Sequence, residues 1–247
     1  MVTELRVTGG GTGDPLLLLL HGLGATGDVW SGWAPAMHER WPGRWLAPDL
    51  PGHGGSAALP EYTFDALAEA VAPLVDPGGR TVVVGHSLGG VVGLALAAVR
   101  PVAAVVAVGV KVEWTEAELE RTRALAVRPV SWFGSRDEAV ARHLRVSGLA
   151  GLVAEDDAAV LEGIREQDGR WRLALDPRAF GVGAPDMAGL VGASSGAVRL
   201  ARGELDPMND DEQFARLGVP VSTLAGLGHN AHVEGPEQCL SLLDDYR

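Results

Sequence analysis

RTVVVGHSLGGVVGLALAAV occupies residues 80–99, and the fold turns on where that stretch changes character. Its first part is apolar and β-branched, which suits a strand covered on both faces. Its last part is rich in Ala and Leu and suits a buried helix. The joint is Gly85-His86-Ser87-Leu88-Gly89, which leaves no residues for a loop. A serine on so sharp a strand-to-helix turn sits in a strained backbone conformation that aims its Oγ out of the sheet. The glycines two before and two after it are required because side chains there would collide. The helix that follows brings unpaired N–H groups and a positive dipole end beneath any charge developing on a substrate carbonyl. Ser87 is therefore the candidate nucleophile. Gly192-Ala193-Ser194-Ser195-Gly196 matches the same spacing, but a helix-like stretch precedes it and a strand-like one follows, the reverse of the required order.

Outward from this joint, residues 15–20, 44–49, 80–85, 102–110, 197–202 and 219–224 are short apolar runs without strict alternation. Residues 28–40, 63–75, 87–99, 208–217 and 236–246 read as helices, with Thr63 as an N-cap. Strand and helix alternate, which predicts an α/β fold with a mostly parallel, doubly wound sheet. The alternation stops between residues 113 and 185, where helical patterns such as TEAELERTRALA dominate. The expected organisation is a core of residues 1–112 and 186–247 carrying a helical cap, 113–185, over the C-terminal edge of the sheet, where such sheets bind ligands.

The 247 residues suit one such domain. With 20 basic and 32 acidic residues the net charge is −12, which disfavours nucleic acid as a partner. No apolar stretch approaches the roughly 20 residues a membrane span needs, and no membrane partner is expected. The N-terminal MVTELRVTGGGTGDP has no signal-peptide pattern, and the single cysteine, Cys239, reads as a packing residue, so the expected location is cytoplasmic. The glycine-rich HGLGATGD lacks the lysine and hydroxyl of a phosphate loop, and no cofactor or metal is expected.

Five motifs in this order resemble the α/β-hydrolase superfamily, in its small cap-bearing branch of esterases, lactonases, carbon–carbon bond hydrolases and cofactor-free perhydrolases. They are His21-Gly22-Leu23-Gly24, Asp49-Leu50-Pro51-Gly52-His53-Gly54, the joint at Ser87, Gly203-Glu204-Leu205-Asp206-Pro207 and Gly228-His229-Asn230. The resemblance implies a serine hydrolase that forms an acyl-enzyme on Ser87, with His229 as base. His232, three residues on, is its rival. Asp206 would orient the base, with Glu204 and Glu113 as alternatives. The backbone N–H groups of Leu88 and Leu23 would form the oxyanion hole. A serine in place of aspartate at the nucleophile position argues against dehalogenase and epoxide hydrolase chemistry.

The expected substrate is a small, hydrophobic carboxylic ester or lactone. Carbon–carbon bond hydrolysis, perhydrolysis and ligand reception without turnover are the alternatives. Trp114, Trp132, Phe133 and Trp171 of the insertion, which also holds Phe180, are the candidate substrate contacts. Their number alone does not separate a pocket from a satellite core.

Overall fold

Leu16–Leu20 is buried at every position, which a strand achieves only when both faces of its sheet are covered. A computed structural model describing residues 3–247 shows how this is done. The strands are β1 (Val7–Gly10), β2 (Leu16–Leu20), β3 (Trp45–Pro48), β4 (Thr81–His86), β5 (Ala104–Val108), β6 (Ile164–Gln167), β7 (Arg170–Leu173), β8 (Ala197–Gly203) and β9 (Val221–Leu224). Seven form one sheet in the order β1-β3-β2-β4-β5-β8-β9, with β1 antiparallel to β3 and the other neighbours parallel. The doubly wound sheet expected from the sequence is present.

The helices are α1 (Ala34–Arg40), α2 (Phe64–Val71), α3 (Leu88–Val99), α4 (Glu116–Ala126), α5 (Arg136–Ser147), α6 (Ala158–Leu161), α7 (Met187–Ala193), α8 (Asp211–Ala215), α9 (Ala231–Glu234) and α10 (Pro236–Leu240). Successive strand residues point to opposite faces. Leu17, Leu19, Val82 and Val84 accordingly pack with Trp30, Trp33 and Met37 on one side. Leu18, Leu20 and Val83 pack with Leu67, Val92 and Leu96 on the other. Each such leucine stabilises the fold by about 2 kcal/mol through burial.

Several elements are shorter than the sequence pattern suggests. The 28–40 stretch opens as 3-10 turns over Gly27–Trp33, and the α-helix starts only at Ala34, because Pro35 has no N–H to donate back to the preceding turn. Pro73 likewise ends α2 and leaves a 3-10 turn over Ala72–Leu74. The 236–246 stretch divides into α10 and 3-10 turns over Ser241–Tyr246, and the 208–217 helix is confined to α8. The edge strand β1, with two glycines in four residues, carried no apolar pattern to announce it. Cys239 is buried, and burial pushes its thiol up to about 12.

Strands β5 and β8 pair directly, so residues 113–185 leave the sheet at the C-terminal end of β5. They carry the expected helices, α4 and α5, each opened by a capping box, Thr115 with Glu118 and Ser135 with Glu138. They also carry a feature the helical reading omitted, an antiparallel hairpin of β6 and β7. Asp168 and Gly169 join its strands with φ of 52° and 73°, the positive values that a two-residue type I′ turn needs at both central positions. Val140, Ala159 and Ile164 pack into the cluster of Trp30, and Leu175 and Ala179 into that of Leu88, so the segment is anchored on the sheet's own cores. No helix among the described residues is long and apolar enough to cross a membrane.

Candidate active site

Ser87 stands between the last residue of β4 and the first of α3 with φ 49° and ψ −115°, a region that side chains strongly disfavour. The strain is enforced from both sides. A Cβ on Gly85 would strike the backbone of Gly89, and one on Gly89 would strike the carbonyls of Leu20 and His21. The Ser87 N–H donates to Val108 O at 2.8 Å, which ties the turn to the end of β5. A Cβ on Gly22 would lie 3.4 Å from Ser87 Cβ, so the loop after β2 passes directly beside the serine. Among the described residues, the backbone N–H groups of Leu23, in that loop, and of Leu88, at the start of α3, have no acceptor.

Asp206 follows β8 and His229 follows β9, neighbouring strands that deliver both side chains to the same edge of the sheet. His229 Nδ1 lies 3.0 Å from Asp206 Oδ2, and the carboxylate is fully buried. Asp206 Oδ1 accepts from the Met208 N–H at 3.0 Å. His86, next to the serine, donates from Nε2 to His229 O at 3.0 Å, and the two rings lie 4.8 Å apart. An added Cβ on Gly109 would lie 3.3 Å from His229 Nδ1, so the imidazole rests on the backbone just beyond β5. Ser87 and the Asp206–His229 pair thus converge on the ends of β4 and β5. The Ser87 hydroxyl itself makes no hydrogen bond to His229 among the described residues.

The rival residues are engaged elsewhere. His232 is buried, stacked on His86 at 4.1 Å and tilted against Trp30 at 4.7 Å, and neither ring nitrogen has a partner among the described residues. Burial and the neighbouring His229 lower it to about 3. Glu113 pairs with Arg216 at 2.5 Å on the surface, and Glu204 accepts from the Gly226 N–H. Ser194 bonds to Gly196 O and Ser195 to Arg100 O, both just ahead of β8, where they shape a turn at the opposite end of the strand from Asp206.

His21 and His53 hold the neighbouring loops. His21 bonds Gly22 O through Nδ1 and accepts from the Leu50 N–H through Nε2, while His53 bonds Pro51 O. Burial lowers them to about 4 and about 3. Asp49 accepts from the Gly27 and Gly55 N–H groups at 2.7 and 2.8 Å, so its motif is a loop clamp. Two asparagines carry roles that the sequence reading did not assign, although Asn230 stands in one of its motifs. Asn209 bonds Val110 O and the Val112 N–H, both at 2.7 Å, and Asn230 bonds Gly148 O at the end of α5. They tie the Asp206 and His229 loops to residues 110–148, and their place in loops after β8 and β9 was the available signal.

The candidate substrate aromatics separate. Phe133 lines a cavity of about 80 Å³ between α4, α5 and β7, together with Phe180, which the sequence had not marked as a contact. Phe133 also exchanges backbone hydrogen bonds of 2.7 and 3.0 Å with Trp171. Trp132 lies instead against Arg170 and Arg172, and Trp114 under Lys111. Among the described residues no group of three or more His, Cys, Asp or Glu is arranged to hold a metal ion.

Residues 17–242 match the alpha/beta hydrolase family. Lipase LipV of Mycobacterium tuberculosis is 40% identical over 104 residues, covering 41% of this chain and 39% of that protein. The magnesium-chelatase 30 kDa subunit of Rhodobacter capsulatus is 34% identical over 148 residues, covering 54% of this chain and 51% of that protein. The chain thus spans between about two-fifths and half of the length of these curated relatives. Among solved structures, an E-2-(acetamidomethylene)succinate hydrolase superposes with a TM-score of 0.79 at 24% identity, covering 99% of this chain and 95% of that one, a likeness of fold.

Proposed function

Because the chain belongs to the alpha/beta hydrolase family, we propose that it is a serine hydrolase that cleaves a carboxylic ester or lactone of a small molecule through an acyl-enzyme on Ser87. The observation that carries this reading is the 3.0 Å pairing of His229 Nδ1 with the buried Asp206 carboxylate at the sheet edge where the strained serine stands. A carboxylate at Nδ1 keeps the proton there and leaves the Nε2 lone pair free to take the Ser87 proton as Oγ attacks the carbonyl. In the absence of substrate such a serine–histidine bond is commonly long or misaligned, and it tightens as the substrate arrives.

Attack places a negative charge on the carbonyl oxygen. The N–H groups of Leu23 and Leu88 would receive it, each worth roughly 3 kcal/mol in the transition state, and the N-terminus of α3 adds its dipole. His229 then protonates the departing alcohol and activates the water that releases the acid. Residues 113–185 would act as the cap that excludes water from this step and receives the apolar part of the substrate.

The test is turnover of p-nitrophenyl acetate and butyrate together with labelling by a fluorophosphonate. Ser87→Ala should lower turnover by at least about 10³-fold, with the adduct of the unaltered chain on Ser87. Activity surviving that substitution, or an adduct on Ser194 or Ser195, refutes the assignment. Ligand retention without turnover of any ester would favour a receptor.

A further inference from the structure

Every lysine and arginine outside residues 113–185 is paired with a carboxylate. In a chain with 32 acidic residues that is easily arranged. Inside the segment Arg121, Arg128, Arg142, Arg145 and Arg170 have neither a carboxylate nor a side-chain hydrogen bond among the described residues, and of these only Arg128 and Arg142 line a cavity. Arg142 is half-buried on α5, and Arg128, just after α4, is exposed. Both line the cavity of about 80 Å³, whose remaining wall is mainly Leu125, Val130, Phe133, Val146, Leu173 and Phe180. A half-buried guanidinium in an apolar wall loses hydration without regaining hydrogen bonds, and its five donors in a fork match a carboxylate.

The cavity is also placed to serve Ser87. Arg142 and Val146 are one helical turn apart and share a face of α5. An added Cβ on Gly24 would lie 2.7 Å from a Val146 methyl, while Gly22, two residues earlier, adjoins Ser87. Val146, Leu173 and Phe180 pack on the same apolar cluster as Leu23 and Leu88. One helical turn plus the two-residue turn from Gly24 back to Gly22 sets Arg142 on the order of 10 Å from the serine.

We infer that this cavity is an anion subsite, in which Arg142 and Arg128 receive a carboxylate at the far end of the substrate arm while the wall holds the methylenes leading to it. The inference rests on the hydrolase reading and names its substrate class, an ester that carries a remote carboxylate.

Two series test it. In the first, p-nitrophenyl hemi-esters of dicarboxylic acids of increasing length are set against p-nitrophenyl esters of the corresponding monocarboxylic acids. In the second, acetate esters of ω-hydroxy acids are set against those of simple alcohols. In at least one series the carboxylate-bearing ester should have the higher kcat/KM, by roughly tenfold to a hundredfold at the best length. Arg142→Gln should remove at least tenfold of that ratio, and Arg142→Lys should restore part of it. Arg128→Gln provides the same reading if the first variant is poorly folded by circular dichroism. Equal kcat/KM for charged and neutral esters in both series, or a ratio unmoved by either glutamine variant, overturns the inference and leaves the hydrolase reading standing. No turnover of any ester refutes the hydrolase reading itself.

Discussion

Lowering the pH from 8 to 5.5 should cost this protein a large share of its stability, and the reason lies in its buried histidines. Burial lowers His21 and His143 to about 4 and His53 and His232 to about 3. It also lowers His86 well below its usual value. In the unfolded chain each returns to about 6.5. Below pH 6.5 the unfolded state therefore binds more protons than the folded one, and stability falls as pH falls. It is fully present above about 6.5, and each group's contribution is spent once its folded value is passed. At pH 5.5 each of the first four removes about 1.4 kcal/mol, roughly 5 kcal/mol together, against a total of about 5–15 kcal/mol for a typical domain. Urea unfolding followed by tryptophan fluorescence at pH 8, 7, 6 and 5.5 measures this directly, because Trp30 packs against His232. The slope near pH 5.5 should correspond to an uptake of about four protons on unfolding, and His232→Phe should flatten it by about one. An unfolding free energy constant within about 1 kcal/mol from pH 7 to 5.5 would refute the reasoning.

Gly89→Ala should abolish both activity and the native melting transition, since its methyl would enter the carbonyls of Leu20 and His21, whereas Gly192→Ala, with open space at its Cβ, should leave the melting temperature within a few degrees. His229→Ala added to Ser87→Ala should lower kcat/KM little further, because residues acting as one unit are not additive; a further loss of a hundredfold would show separate roles. Phe133→Ala should change the relative kcat/KM of long and short esters, because Phe133 lines the cavity. Trp132→Ala should lower the melting temperature without changing that ratio, because its ring lies against Arg170 and Arg172; a changed ratio would place Trp132 at the substrate.

The elbow was legible because its constraint is local. Two glycines flanking Ser87 are demanded by atoms within four residues or on the adjoining strand, and a β-branched run before them with an Ala/Leu run after them leaves one geometry. His229 was less legible. His232 shares its loop, and composition cannot tell two histidines three residues apart from each other. The structure separates them by turning His232 into the pocket of Trp30 and His86 and pairing His229 with Asp206. The β6–β7 hairpin was missed although Asp168-Gly169 announces such a turn, because four-residue strands bearing Arg165, Glu166, Arg170 and Arg172 offer no apolar run to catch the eye.

The cavity was the least legible feature, and for a physical reason. Leu125, Phe133, Arg142, Val146, Leu173 and Phe180 come from α4, α5, β7 and the turns beside them, and nothing at any one position marks it as facing the others. Only the hairpin decides which aromatics point inward. Trp171 alternates along β7 with Arg170 and Arg172, so Phe133, bridged to Trp171 through the backbone, and Trp132, whose ring lies on the arginines, fall on opposite faces. The groups that perform chemistry stand at strand ends, where sequence order dictates spatial order. The groups proposed to select the substrate stand where elements distant in sequence meet, so a role for Arg142 and Arg128 could be drawn only from the cavity that brings these two unpaired guanidinium groups together.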